Sequence, residues 1–326
     1  MEERQVIVPF YQVPFNDREL EEVVRVVSRG YLTQGKETRF FEKLFRDFVG
    51  SRYAIAVDSC TSGLFLSLKY NGIGKGETVT IPSLTFASVA NVILHCGAEI
   101  KWEDDVYVGK AYYMKNDRPF KVVDSAHQLE RGIYRDFLDS LMCFSFYPTK
   151  LLASAEGGMI CTNDHYAMEW LEKARWHGRK GGGYQYTIDM AGWKMNMTDV
   201  QAAIGIVQLK KLDGLNARRK AIVEYYNREL GEKCESLHLY TIDVDNRDDF
   251  LSFMDKNGVN CSVHFYTPLH LQPAYKEFKR ELPYTEQIAK RIVSLPLFPT
   301  MRDEQLNLVI RLVKIWRDND GKPRED

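Results

Sequence analysis

The chain has 326 residues, room for one large domain with a smaller appendage or for two medium ones. With 44% hydrophobic and 27% charged residues its composition is that of a globular protein, and 44 basic side chains nearly cancel 45 acidic ones. That balance leaves no electrostatic footprint for nucleic acid or an anionic membrane surface. The basic runs Lys210–Lys211 and Arg218–Lys220 fall in helical patterns and read as solvated faces. Six cysteines are scattered without a C-x-x-C pair or a histidine at zinc spacing, which fits free thiols in a reducing cytoplasm and no metal. Met1–Gln5 opens acidic, without the apolar core of a signal peptide. The most apolar stretch, Ala87–Ala98, is interrupted by Asn91 and His95 and is too short to cross a bilayer.

Along the first half, short β-rich runs alternate with helical ones. Tyr53–Val57 reads as a buried strand, Thr61–Tyr70 as a helix, Thr78–Ile81 as a strand and Thr85–Cys96 as an apolar helix. Further strands are expected at Glu99–Trp102, Lys121–Val123 and Met142–Phe146. Such alternation predicts an α/β fold: a mostly parallel sheet sandwiched by helices. Gly181-Gly182-Gly183 lacks the Lys-Ser/Thr ending of a phosphate loop and reads as a mobile loop. From Thr198, an N-cap, one helix runs to about Leu212 and a second covers Leu215–Leu230. A strand (Leu237–Ile242), a helix (Arg247–Lys256), a strand (Asn260–Phe265) and a last helix (Asp303–Arg317) follow. The expected division is a large domain over 1–225 and a small C-terminal α+β domain over 226–326.

Four strand ends carry the chemistry. Phe144–Lys150 delivers a lysine just after a strand, through a Pro-containing turn, and Glu156-Gly157-Gly158 follows. Alone, Lys150 would be an ordinary surface lysine. Asp124 closes an apolar strand and precedes Ser125-Ala126-His127; a carboxylate there can keep a pyridinium nitrogen protonated, or can simply cap a helix. Asp58–Gly63 passes from strand to small residues to helix, presenting backbone N–H groups where a phosphate could sit. Pro82–Phe86 ends another strand with an aromatic that can stack on a flat ring or pack in the core.

These elements, in the order phosphate turn, ring stacker, pyridinium acid, lysine, resemble the nucleotide-sugar aminotransferases of the DegT–StrS group. That group lies within the aspartate-aminotransferase-like fold of pyridoxal phosphate enzymes. The resemblance extends over Gly30–Gly35, Phe41-Glu42, Ile73–Glu77, Gly192–Asp199 with Gln201–Gly205, His264–Tyr275 and Ser294–Pro299. It implies that Lys150 carries pyridoxal 5'-phosphate as a Schiff base and moves protons, and that Asp124 pairs with the ring nitrogen while Phe86 covers a ring face. It further implies that Cys60, Thr61 and Ser145 hold the phosphate, and that His127 and Gln128 meet the ring edge. Lys194 and Asn196 would reach the neighbouring active site of a homodimer. Thr33, His264 and His270 would line the entrance for the sugar nucleotide.

The implied reaction passes an amino group from glutamate, leaving 2-oxoglutarate, to a nucleotide-linked keto-sugar. Relatives that dehydrate instead carry histidine in place of the lysine, and Lys150 argues against that chemistry. A cofactor-binding regulator or degenerate scaffold without turnover is the alternative. The chain is short for the family: Glu103–Phe120 lacks a clear strand–helix–strand unit, and a second shortening precedes Leu237.

Overall fold

The computed structural model describes residues 8–182 and 185–319, so Met1–Gln5 and Gly183 lie outside the described residues. Helix α1 (Asp17–Ser28) is started by a capping box between Asn16 and Glu19. Helix α2 (Lys36–Val49) has no side-chain cap of its own. A distant residue supplies one: the Asp199 carboxylate accepts from the backbone N–H groups of Gly35 (2.7 Å) and Thr38 (3.0 Å).

Strand and helix then alternate through β1 (Tyr53–Val57), α3 (Cys60–Tyr70), β2 (Thr78–Pro82), α4 (Ala87–His95) and β3 (Glu99–Glu103). Next come β4 (Tyr112–Met114), β5 (Lys121–Asp124), β6 (Ser140–Ser145), β7 (Gly158–Thr162) and α5 (His165–Ala174). Strands β8 (Arg179–Gly182) and β9 (Gln185–Ile188) pair antiparallel, so Gly181 and Gly182 of the expected glycine loop lie in a strand. Helix α6 (Asp199–Leu230) leads to β10 (Tyr240–Asp243), α7 (Arg247–Lys256), α8 (Pro283–Arg291), β11 (Ile292–Leu295) and α9 (Asp303–Asp318).

Strands pair in the order β1-β7-β6-β5-β4, and β2-β3 joins the far edge through two backbone bonds between Thr80 and Lys115. The pairings give β1, β2, β3, β5 and β6 one direction, while β4 and β7 are reversed. The parallel reading therefore holds for strand direction, and β4 is the informative exception. Only a short loop joins Met114 to Lys121, and a connection that short can return a strand only antiparallel. The missing crossover helix thus becomes a hairpin that sets Tyr112 opposite Asp124.

Helices cover both faces. On one side Leu64, Leu66, Val92 and Ile93 of α3 and α4 pack on the sheet; on the other, Phe41 and Phe45 of α2 meet Phe144 and Phe146. A third core gathers Ile222, Tyr226, Phe250, Val293, Leu306 and Trp316. Helix α6 serves two of these cores. It is one 32-residue helix where the sequence predicts two, and it runs straight through position 225. Gly214 marks the expected break, but a mid-helix glycine costs only about 1 kcal/mol. Packing at Leu212 and a bond from Asn216 to the Leu129 carbonyl (2.9 Å) carry the helix past it. Among the described residues Asn260–Phe265 forms no strand: Ser262 bridges to Ser294, and the Asn260 N–H donates to the Val8 carbonyl (3.0 Å) beside the Val8–Val259 bridge. Arg219 is also unlike the solvated basic face expected of its run: it is buried and donates to the Leu151 carbonyl (3.3 Å) and to Asn216 (3.1 Å). Among the described residues no helix is long and apolar enough to cross a membrane.

Candidate active site

Because β1, β2, β5 and β6 share a direction, their C-terminal ends open on one edge of the sheet, where ligands collect in folds of this kind. The four segments singled out in the sequence meet there around a cavity of about 590 Å³.

At one end lies the start of α3. Ser59 is its N-cap, accepting from the Ser62 N–H (3.1 Å). The backbone N–H groups of Cys60 and Thr61, in the helix's first turn, have no acceptor among the described residues. Both residues line the cavity, with Ser145 at the end of β6. Two glycines let the chain close this tightly. A Cβ at Gly158 would stand 2.5 Å from the Ser59 carbonyl carbon and 2.6 Å from the Cys60 nitrogen. Gly157 holds φ of 149°, and a Cβ there would meet the Met197 methyl at 2.4 Å.

Lys150 sits on the connection from β6 to β7, its backbone clamped from two sides. The Tyr11 hydroxyl donates to the Lys150 carbonyl (3.0 Å), and Arg219 holds the next carbonyl. Burial lowers the Lys150 ammonium to about 8, against the opposing pull of Asp124 and Cys60. Asp124 is buried, and burial raises its carboxyl above the usual range. Three groups oppose that rise: the Ala126 N–H (2.9 Å), the Tyr112 hydroxyl (3.0 Å) and the charge of Lys150. The Cys60 sulfur lies 4.0 Å from the same carboxylate, and burial pushes its thiol up.

Three imidazoles border the cavity. His127 accepts from the Gly109 N–H (3.3 Å) and lies 4.9 Å, ring to ring, from His238; His264 bonds to Ser294 (2.9 Å). Burial, then the nearby Lys150, lowers all three, and His264 falls to about 4. They are neutral at physiological pH. Phe86 is 62% exposed and stands at the mouth, 6.2 Å from Phe265.

Of the residues expected at the site, the structure brings together Lys150, Asp124, Cys60, Thr61, Phe86, His127, Ser145 and His264. Five others lie off the cavity. Gln128 accepts from the Ala111 N–H through its side-chain Oε1 (3.0 Å) and borders a neighbouring crevice. Lys194 is exposed and bonds to the side chain of buried Asn196, whose backbone bridges to Val57. Thr33 is exposed in the turn before α2. His270 is buried against Ser83 (2.6 Å) and Glu286 (3.2 Å), a tie between the β2 end and α8.

Sequence reasoning missed Tyr112, His238 and Tyr11. Tyr112 sits in a three-residue strand with no periodicity to read, and Tyr11 reaches Lys150 across almost half the chain. His238 lies within the run Leu237–Ile242 expected as a strand, just ahead of the observed β10, and nothing around it in sequence points to chemistry.

Comparison with known proteins follows the same outline. The sequence profile of the DegT/DnrJ/EryC1/StrS aminotransferase family matches residues 15–104 and 136–314. The unmatched stretch between them contains the β4 hairpin, Asp124 and His127. The spore coat polysaccharide biosynthesis protein SpsC of Bacillus subtilis (strain 168) is 31% identical over 382 residues, covering 96% of this chain and 98% of SpsC. That alignment is longer than the chain itself, so SpsC carries segments this chain lacks. The structure of S. venezuelae DesV in complex with a ketimine intermediate superposes with a TM-score of 0.83 at 25% identity, covering 98% of this chain and 99% of DesV. The putative sugar aminotransferase Spr1654 of Streptococcus pneumoniae, in its PLP form, shares the fold with a TM-score of 0.84 at 23% identity, over 96% and 99% of the two chains. With the profile matched over both halves and a curated relative aligned end to end, the chain belongs to the DegT/DnrJ/EryC1/StrS aminotransferase family.

Proposed function

We propose that this chain is a pyridoxal 5'-phosphate-dependent aminotransferase that carries nitrogen from glutamate to a nucleotide-linked keto-sugar. The observation that carries the reading is Lys150, an amine lowered to about 8 inside a cavity that also holds a buried carboxylate and helix N–H groups with no acceptor among the described residues. Each demand of the cofactor has a counterpart. The first turn of α3, with Thr61 and Ser145, suits a phosphate dianion. Asp124 suits a protonated ring nitrogen, Phe86 a ring face, and Lys150 the aldehyde.

When bound, the cofactor supplies a conjugated ring that takes up the electron pair released as the donor's Cα–H bond breaks. The chain's own residues do the rest. Asp124 keeps a proton at the ring nitrogen. Lys150 Nζ, once the donor's amine displaces it, would take the Cα proton and deliver it to the cofactor's aldehyde carbon, so that the donor's nitrogen stays on the cofactor. The His264–Phe265 segment and Phe86 narrow the mouth and limit water. Glutamate leaves as 2-oxoglutarate before the keto-sugar enters the same cavity, a ping-pong order. Glu156-Gly157-Gly158 leans towards amination at C4 over C3.

The proposal includes a homodimer. Leu20, Val24 and Val27 present an exposed apolar row on α1, continued by Tyr31 and Leu32, at the spacing of one helix face. Lys194 and Asn196, off their own cavity, are assigned to the partner's. The division at 225/226 is kept, with α6 continuous across it, and so is a cytoplasmic location for its free thiols.

The test is incubation of the purified protein with pyridoxal phosphate, glutamate and a panel of nucleotide-linked 3- and 4-keto-6-deoxy sugars, read by mass. Replacement of the keto oxygen by an amine on a 4-keto sugar is expected. Cofactor bound with no sugar converted would leave the non-catalytic scaffold as the better reading.

A further inference from the structure

The β4 hairpin exists because the chain is shortened, and it places a residue at the site that the family profile does not reach: Tyr112 lies in the unmatched stretch between 104 and 136. Its side chain is buried, borders the cavity and faces Asp124 from the neighbouring strand. The hydroxyl donates to Asp124 Oδ2 at 3.0 Å. It also lies 2.8 Å from Thr85 Oγ1. With its single proton given to the carboxylate, the Tyr112 oxygen accepts from Thr85, so the three form a directed chain, Thr85 to Tyr112 to Asp124. The other carboxylate oxygen accepts from the Ala126 N–H at 2.9 Å.

From these contacts we propose that Tyr112 is a positioning residue: its hydrogen bond holds Asp124 as the anion and aims that charge at the ring nitrogen of the bound cofactor. The inference rests on the pyridoxal phosphate reading of the cavity. Its physical basis is competition over one proton. A buried carboxylate tends to neutralise, and a neutral Asp124 would leave the ring nitrogen without its counter-charge. The ionisable groups around Asp124 are Cys60 on α3, Tyr112 on β4, Cys143 on β6 and Lys150 beyond β6. Burial keeps both thiols and the phenol protonated, so Lys150 is the one cation in that set. The Lys150 amine is itself committed to the cofactor's aldehyde in the loaded protein. The donors that remain dedicated to the carboxylate are then the Ala126 N–H, the Tyr112 hydroxyl and, more weakly, the Cys60 thiol at 4.0 Å. A hydrogen bond to a charged group is stronger than one between neutral groups, so it favours the ionised form.

The test compares two ligands on cofactor-free full-length protein: pyridoxal phosphate, and its analogue with carbon in place of the ring nitrogen. Binding is followed by absorbance and by quenching of tryptophan fluorescence. Tyr112→Phe is expected to weaken pyridoxal phosphate about tenfold while changing the analogue less than about twofold, because the analogue has no nitrogen for Asp124 to serve. Equal weakening of both ligands would mean that Tyr112 only shapes the wall, and no weakening of either would mean that it does nothing for the carboxylate; each result overturns the inference. Thr85→Val, which removes the donor behind Tyr112, should show the same selectivity to a smaller degree, and it carries the test if Tyr112→Phe fails to fold. Wild-type protein that binds no pyridoxal phosphate would overturn the cofactor reading and this inference together. Wild-type binding with an indifferent Tyr112→Phe would overturn the inference alone.

Discussion

Gly158→Ala adds one methyl group at the most crowded point of the site. Gly158 begins β7 and pairs with Val57 at the end of β1, directly behind the turn into α3. The new Cβ would stand 2.5 Å from the Ser59 carbonyl carbon, 2.6 Å from the Cys60 nitrogen and 2.7 Å from the Ser59 oxygen. All three are backbone atoms, so no side chain can rotate away. Ordinary contact lies near 3.5–4.0 Å, so strand and turn must separate by roughly 1 Å. Overpacking of this kind costs about 1–3 kcal/mol, and the rigid neighbours place Gly158→Ala at the upper end, about 3 kcal/mol. The same displacement moves the Cys60 and Thr61 N–H groups away from Ser145. Pyridoxal phosphate affinity should therefore fall at least tenfold, beyond what lost stability explains. Urea unfolding and an absorbance titration with the cofactor measure both effects. A variant with wild-type unfolding midpoint and wild-type affinity would refute the argument that this glycine lets β7 brace the phosphate turn.

Two further outcomes follow from individual residues. Acetylation of Lys150 in cofactor-free protein, followed by peptide mass, should show a pH midpoint near 8, because burial favours the neutral amine; Asp124→Asn should move that midpoint down, since the Asp124 charge holds it up, and a midpoint near 10.5, the ordinary lysine value, would contradict the site's electrostatics. Gly214→Ala should raise stability by about 0.5–1 kcal/mol in urea unfolding, because its Cβ meets nothing within 4 Å and the position lies inside α6; destabilisation would mean that α6 needs its glycine there.

How far the sequence could be read depended on whether a signal was local. Tyr53–Val57 and Arg247–Lys256 are legible to the residue, since each is a self-contained apolar or amphipathic run bounded by breakers. Gly214 misleads because a helix break is a local inference, and the packing that overrides it comes from Leu129, far away in sequence. Arg219 misleads for the same reason: a basic triplet looks solvated until the carbonyl of Leu151 arrives to meet it. At the site, Lys150, Asp124 and the Ser59 cap are legible because each ends a strand, and strand ends in such folds face one edge. Tyr112 is not, since its place depends on a strand reversal imposed by a missing helix. His270 and Thr33 belong to recognisable motifs, yet His270 ties the β2 end to α8, Thr33 is exposed, and both lie off the cavity.

The central claim is that Lys150 bonds to the cofactor. Borohydride reduction of the protein loaded with pyridoxal phosphate, followed by peptide mass mapping, tests it most directly. The account predicts the reduced cofactor on the peptide containing Lys150, and no covalent label and no Schiff-base absorbance band in Lys150→Ala. Label on another lysine, or a band that persists in Lys150→Ala, would contradict it.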